Sequence, residues 1–213
     1  MSNVFFSVNV SLDGYLAPPG FDLAHAHDPT FEDWGAQWGK LHSWILPQRF
    51  FRENLQLGDG GETGTENQLL AHTFERTGVS IMGKRMFDLG KAMWPEEAPF
   101  HTPVFVLTSH AREPWVRPGG TTFHFVDDGI ESALRQARAA AGDRDIRIAG
   151  GADVIQQYLR AGLVDEFALA ISPVMFGGGR RLFEAISRAV NLELVETIAS
   201  PRATHARYAI HER

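Results

Sequence analysis

Hydrophobic positions fall in short runs spread along most of the chain. Val79-Ser80-Ile81-Met82, Val104-Phe105-Val106-Leu107 and Ile146-Arg147-Ile148-Ala149 are nearly continuous, as expected of strands covered on both faces. Val4–Val10, Thr122–Val126 and Glu166–Ile171 complete a set of central strand candidates. Leu192–Thr197 and Ala203–His211 alternate instead, and the Ser200-Pro201 turn region between them predicts an antiparallel hairpin. Helical spacing appears between strands. Ile130, Ala133, Leu134 and Ala137 form one stripe of a helix over 129–141, and Val154, Ile155, Tyr158 and Leu159 form another over 153–161, with Gly162 at the C-cap position. Strand–helix–strand alternation followed by a hairpin predicts an α/β fold whose central sheet is mostly parallel, with an antiparallel edge at its C-terminal end. Neither an internal repeat nor a second core is visible, so residues 1–213 are expected to form a single domain.

One stretch breaks the rhythm. Residues 18–66 hold Pro18-Pro19-Gly20, three tryptophans (Trp34, Trp38, Trp44) and the tract Gly58-Asp59-Gly60-Gly61-Glu62-Thr63-Gly64. Long irregular segments inside compact domains are commonly functional covers, and a mobile lid is expected here.

Composition narrows the functional classes. A net charge of −6 argues against a chain that wraps nucleic acid or adheres to an anionic membrane. No cysteine is present, which removes disulfides, thiolate catalysis and cysteine-based metal sites together. No apolar run reaches a membrane-spanning length, and the first residues alternate like a strand with no basic flank, so a cytoplasmic protein is expected.

Three glycine-bearing turns could hold phosphate. Gly78-Val79-Ser80-Ile81-Met82-Gly83-Lys84 imitates the start of a P-loop, but Arg85 stands where a magnesium-binding hydroxyl is needed, and the intervening residues are strand-like. Read otherwise, a strand ends at Gly83 and Lys84-Arg85 open a helix, whose N-terminus with two cations suits an anion. Gly150-Gly151-Ala152-Asp153 likewise joins a strand to a helix, and paired glycines let a ligand approach the backbone. It lacks the spacing of a dinucleotide fingerprint. Gly177-Gly178-Gly179-Arg180-Arg181 reads first as a flexible turn. His25-Ala26-His27-Asp28 offers ligand types without a third partner, so no metal is expected, and His124 reads as a sheet-face residue.

Five blocks occur in order: Ser11-Leu12-Asp13-Gly14-Tyr15-Leu16-Ala17, Ile81–Phe87, Val106-Leu107-Thr108-Ser109, Ile148-Ala149-Gly150-Gly151-Ala152 and Ala161–Glu166. Together they resemble the dihydrofolate reductase-like superfamily, in the branch that holds the RibD C-terminal (riboflavin-biosynthesis reductase) domain. The resemblance implies a three-layer α/β/α fold with NADPH across the C-terminal ends of the strands. Gly83, Lys84 and Arg85 would then stand at a phosphate-binding helix start, and Thr108 and Ser109 near the adenosine 2′-phosphate. Gly150, Gly151, Ala152, Asp153 and Val154 would hold the pyrophosphate, with a cis peptide between the glycines. Asn9, Leu16 and Ala17 would lie near the nicotinamide. Lys84, Arg85 and Arg112 are the cations considered for the 2′-phosphate, which favours NADPH over NADH.

The same resemblance makes Asp13 a substrate-facing carboxylate, expected to act as an acid if burial raises its pKa. An Asp-Gly pair is also ordinary turn chemistry. Asp33 is a second carboxyl considered for that task. Two departures stand out: Ala149 occupies a position where the family often carries Glu, and the zinc deaminase half of RibD is absent. The activity implied is NADPH-dependent reduction of a small heterocyclic or carbonyl substrate, of the 5-amino-6-(5-phosphoribosylamino)uracil reductase type. The alternatives are a non-catalytic nucleotide-binding module and a flavin-dependent reductase. A homodimer is expected from the family.

Overall fold

The computed structural model of the protein describes residues 2–20, 29–184, 186 and 189–211. In chain order the strands are β1 (Val4–Ser11), β2 (Tyr15–Ala17), β3 (Thr77–Gly83), β4 (Pro103–Leu107), β5 (Trp115–Val116), β6 (Thr122–Val126), β7 (Asp145–Gly150), β8 (Glu166–Ser172), β9 (Arg180–Arg181), β10 (Asn191–Ala199) and β11 (Thr204–His211). The helices are α1 (Pro29–Leu41), α2 (Arg49–Asn54), α3 (Thr65–Glu75), α4 (Lys84–Met93), α5 (Ile130–Ala140) and α6 (Ala152–Arg160).

Nine strands form one sheet in the order β10-β11-β8-β1-β7-β3-β4-β6-β5. Strands β8, β1, β7, β3, β4 and β6 run parallel, while β10, β11 and β5 pair antiparallel at the two margins. Neighbouring positions along a strand go to different cores, as the two-residue period of a sheet requires. Phe6, Ile81, Phe105, Ile148 and Leu169 join the face covered by Leu134 and Ala137 of α5 and Ile155 and Tyr158 of α6. Met82, Val104, Val106 and Phe123 pack on the opposite face against Phe87 of α4, and Ala170 packs there against Trp44 and Leu70 of α3. Helices on both faces make the three layers. Continuous apolar runs predicted that arrangement, and the central strands keep their expected limits to within two residues.

Two polar side chains fasten these layers. Arg76, just after α3, donates to Asp145 of β7 and to Glu166 of β8, and its guanidinium lies 4.1 Å from the centre of the Phe5 ring. Tyr158 donates its hydroxyl to the Ile130 carbonyl at 2.8 Å, tying α6 to α5, and burial raises its pKa.

Much of the stretch 18–66, expected as a lid, has regular structure. Residues 29–41 and 49–54 are helical, and Leu41, Trp44 and Gln48 are buried. The glycine tract is pinned as well: Glu62 donates to Pro47 O and accepts from Arg49 N, both at 2.9 Å. A Cβ on Gly61 would stand 2.8 Å from the Arg49 backbone, so glycine is what permits this contact. His25, His27 and Asp28 lie outside the described residues.

Candidate functional site

Because β1, β3, β4 and β7 run parallel, the turns that leave their C-terminal ends share one edge of the sheet. Gly83–Arg85 leave β3, Thr108 and Ser109 leave β4, Gly150–Val154 leave β7, and Ser11–Asp13 close β1. Residues separated by more than a hundred positions are thereby gathered by topology alone.

Two helices start side by side here. Gly83 caps α4 and Gly151 caps α6, and neither start is closed by a side-chain hydrogen bond. A Cβ on Gly151 would stand 3.7 Å from Gly83 Cα and N, which places the two starts against each other. Gly150 and Gly151 have φ of 142° and 88°, conformations that other residues rarely adopt. Their expected cis peptide is corrected: no cis peptide occurs among the described residues, and the two positive φ values make the turn instead. First-turn amides of two helices thus face one place with partial positive charge, the physical requirement for a diphosphate.

Charge around these starts is unevenly committed. Lys84 is paired with Asp88 one turn along α4, which spends much of its charge locally. Arg180 on β9 pairs with Asp153 at 2.9 Å. Among the described residues Arg85 makes no ion pair, and Arg112 rests its guanidinium 3.8 Å from the Phe125 ring centre and 5.3 Å from that of Phe87. Stacking holds Arg112 beside α4, and the residue is exposed there. Ser109 and His110 bond to each other at 2.8 Å beyond β4, and the Thr108 N–H bonds to Val126 O.

The β1 end is organised around Asp13. Its carboxylate accepts from Ser11 Oγ at 2.6 Å and from the backbone N–H groups of Phe176 and Gly177, the latter at 2.7 Å. The expected rise in its pKa is therefore corrected. The Ser11 hydroxyl, with the two amides, holds the carboxyl below its ordinary value. The glycine turn 177–179 is likewise built in. A Cβ on Gly179 would meet Ala17 O at 2.1 Å, and Arg180–Arg181 pair with β2, which brings Leu16 and Ala17 to the same corner. Stability contributed by Asp13 is present above the ordinary carboxylate pKa and is lost as pH falls through its lower folded value. Asp13→Asn should accordingly flatten the acid limb of a thermal-melting profile, and an unchanged acid limb would show that the loop does not need the charge.

Asn9, near the end of β1, accepts the indole N–H of Trp44 at 2.9 Å. Sequence reading had no signal for that pair, since 35 residues separate the partners. Asp33 is exposed on α1. Among the described residues, no group of three or more histidines and carboxylates converges as a metal site, and no helix is long and apolar enough to cross a membrane.

A profile of the RibD C-terminal domain matches residues 2–206. The chain belongs to the RibD C-terminal domain family. A putative riboflavin biosynthesis protein from Shewanella sp. PV-4 superposes with a TM-score of 0.69 at 21% identity, covering all of both chains. A dihydrofolate reductase from Enterococcus faecalis, complexed with NADP(H), superposes at 0.51 with 15% identity, covering 99% of this chain and 97% of that one. At these identities the likeness establishes a shared fold. Two uncharacterized Bacillus subtilis (strain 168) proteins are nearer in sequence: YyaP is 38% identical over 73 residues and YwjB 27% over 84. Those matches span 34% and 39% of this chain, and 38% and 48% of the two relatives' own lengths.

Proposed function

We propose that this RibD C-terminal domain protein is an NADPH-dependent reductase acting on a small heterocyclic or carbonyl compound. The observation that carries the reading is the pair of uncapped helix starts, α4 and α6, abutting through Gly83 and Gly151. In this reading the amides of Lys84, Arg85, Ala152 and Asp153 hold the pyrophosphate, with Gly150 and Val154 shaping the turn. Thr108, Ser109, Arg85 and Arg112 receive the 2′-phosphate, and Asn9, Leu16 and Ala17 border the nicotinamide. When bound, the reduced nicotinamide supplies the hydride. The protein's part is to orient it and keep water away.

Asp13 serves as an anchor in this scheme. A carboxylate committed to one hydroxyl and two amides is poorly suited to give up a proton. That commitment also favours a second reading, a nucleotide-binding module without turnover. Steady NADPH consumption with 5-amino-6-(5-phosphoribosylamino)uracil, or with another pyrimidine, would decide for the reductase; binding without consumption would decide for the module.

Cofactor choice gives the direct test of the phosphate assignment. Tryptophan quenching titrations should show NADPH bound at least ~10-fold more tightly than NADH, about 1.4 kcal/mol, and Arg112→Ala should narrow the gap. Equal affinities would remove Arg85 and Arg112 from the 2′-phosphate.

The proposal includes a cytoplasmic homodimer built through the C-terminal hairpin. Among the described residues strand β10 has one unpaired edge, and Leu192, Leu194 and Val195 on it are 46%, 56% and 42% exposed. A second copy would cover such an edge.

A further inference from the structure

We infer that Trp44 fixes Asn9 as a reader of carbonyl oxygens, so that the site beside β1 favours a ligand carbonyl there over an amino group. The inference rests on the proposed binding site and adds a specificity determinant to it.

An indole N–H can only donate. Trp44 Nε1 lies 2.9 Å from the Asn9 side chain, so the amide must turn its oxygen to the tryptophan. The Asn9 NH₂ is then the group left over, and among the described residues it has no hydrogen-bond partner. Asn9 is itself part-exposed at the C-terminal end of β1, paired in register with Ala170, whose methyl offers no competing polar group. A ligand reaching Asn9 therefore meets two N–H donors, while the oxygen, already engaged by the indole, has a single lone pair left. Such a group discriminates well, because a wrong partner leaves a desolvated donor unpaired.

The tryptophan is held from two sides, which is what makes the orientation permanent. Its backbone carbonyl accepts from Gln48 Nε2 at 2.8 Å, and its ring meets His205 edge-on at 4.7 Å. His205 Nε2 lies 3.1 Å from Glu66 Oε1, and Glu66 is buried and also bonded by Ser200 Oγ. Gln48 closes the ring of contacts by reaching Glu66 at 3.3 Å. Trp44 is only 6% exposed, so it cannot swing away without opening this network.

A ligand carbonyl could come from the nicotinamide carboxamide or from a substrate ring, and the test separates them. The probes are 5,6-diaminouracil, which carries ring carbonyls, and 2,4,5,6-tetraaminopyrimidine, which carries amino groups in their place. Each is titrated calorimetrically into wild type, Asn9→Asp and Trp44→Phe, with and without NADP+, and NADPH is titrated alone. Wild type should prefer the diaminouracil by at least ~10-fold. Asn9→Asp keeps an acceptor for the indole but offers the ligand no donor, and should reverse the preference. Trp44→Phe frees the amide to turn and should shrink the preference to within about threefold. If NADPH affinity alone falls at least ~10-fold in Asn9→Asp, the carbonyl read is the carboxamide, which also supports the inference. Unchanged probe preference together with unchanged NADPH affinity in both variants would overturn it, as would wild type binding neither probe with Asn9→Asp leaving NADPH affinity intact. If wild type fails to bind NADPH yet discriminates the two pyrimidines, the cofactor reading falls and the Asn9 assignment stands.

Discussion

Replacing Phe87 with alanine should cost about 3–5 kcal/mol of folding stability, a large share of the total for a domain of this size. Phe87 is 1% exposed and holds α4 to the sheet. Its ring meets Phe123, Phe125, Trp115 and Trp94 edge-on, with centroids 5.1–6.1 Å away. Edge-to-face pairs add to the transfer energy of the buried ring, and the cavity left by alanine is walled by rigid rings that close over it poorly. Two cations rest against the same ring: Lys84 Nζ is 6.0 Å and the Arg112 guanidinium 5.3 Å from its centre. Loss of Phe87 should thus loosen the start of α4 together with the two cations packed on its ring. Phe87→Leu, which keeps most of the volume, should recover more than half of the stability. A chemical-denaturation cost below ~1 kcal/mol for the alanine variant would mean that α4 is anchored elsewhere.

Gly151→Ala should have the second large effect, and for a different reason. No wall is in the way, since the nearest atoms to the added Cβ lie at 3.7 Å, an ordinary contact. The cost lies in the backbone, whose φ of 88° and ψ of 115° fall where an alanine is strained by roughly 1–3 kcal/mol. The variant has two ways out: carry the strain as lost stability, or turn the peptide before α6 and aim its first amides elsewhere. Melting measures the first outcome and cofactor binding the second. Gly162, φ 68° and near the end of α6, provides the control: alanine there should lower stability without weakening binding.

Much of this site could be seen in the sequence because its physics is local. A continuous apolar run that ends in glycine and is followed by helical spacing states strand, turn and helix start in one phrase, and Gly83 and Gly151 occupy those positions. The gathering of these turns on one edge followed from reading the central strands as parallel. The cover formed by α1, α2 and α3 was hidden for an equally local reason. Gly35 and Gly39 lie inside α1, and the glycine tract before α3 looks like a linker until the Gly61 backbone contact is known. Strands β2 and β9, of three and two residues, are too short to show a period.

Asp13 shows the sharper limit. Its turn chemistry was legible, and Ser11, whose hydroxyl does most to depress its pKa, lies two residues away, but the amides that add to the effect lie 163 and 164 residues away. Sequence spacing held no trace of those amides, so a turn role and an acid with raised pKa both stayed open. Trp44 and Asn9 are the same case in reverse, a hydrogen-bonded pair with no periodicity to announce it.

The abutting starts of α4 and α6 are proposed as the seat of a phosphorylated nicotinamide cofactor. The most direct measurement is a fluorescence titration of NADPH into wild type and Gly151→Ala, both shown folded by circular dichroism. Saturable quenching is expected in wild type, with an affinity at least ~10-fold weaker in the variant, about 1.4 kcal/mol. Equal affinity in the two proteins, or no saturable binding by wild type, would contradict it.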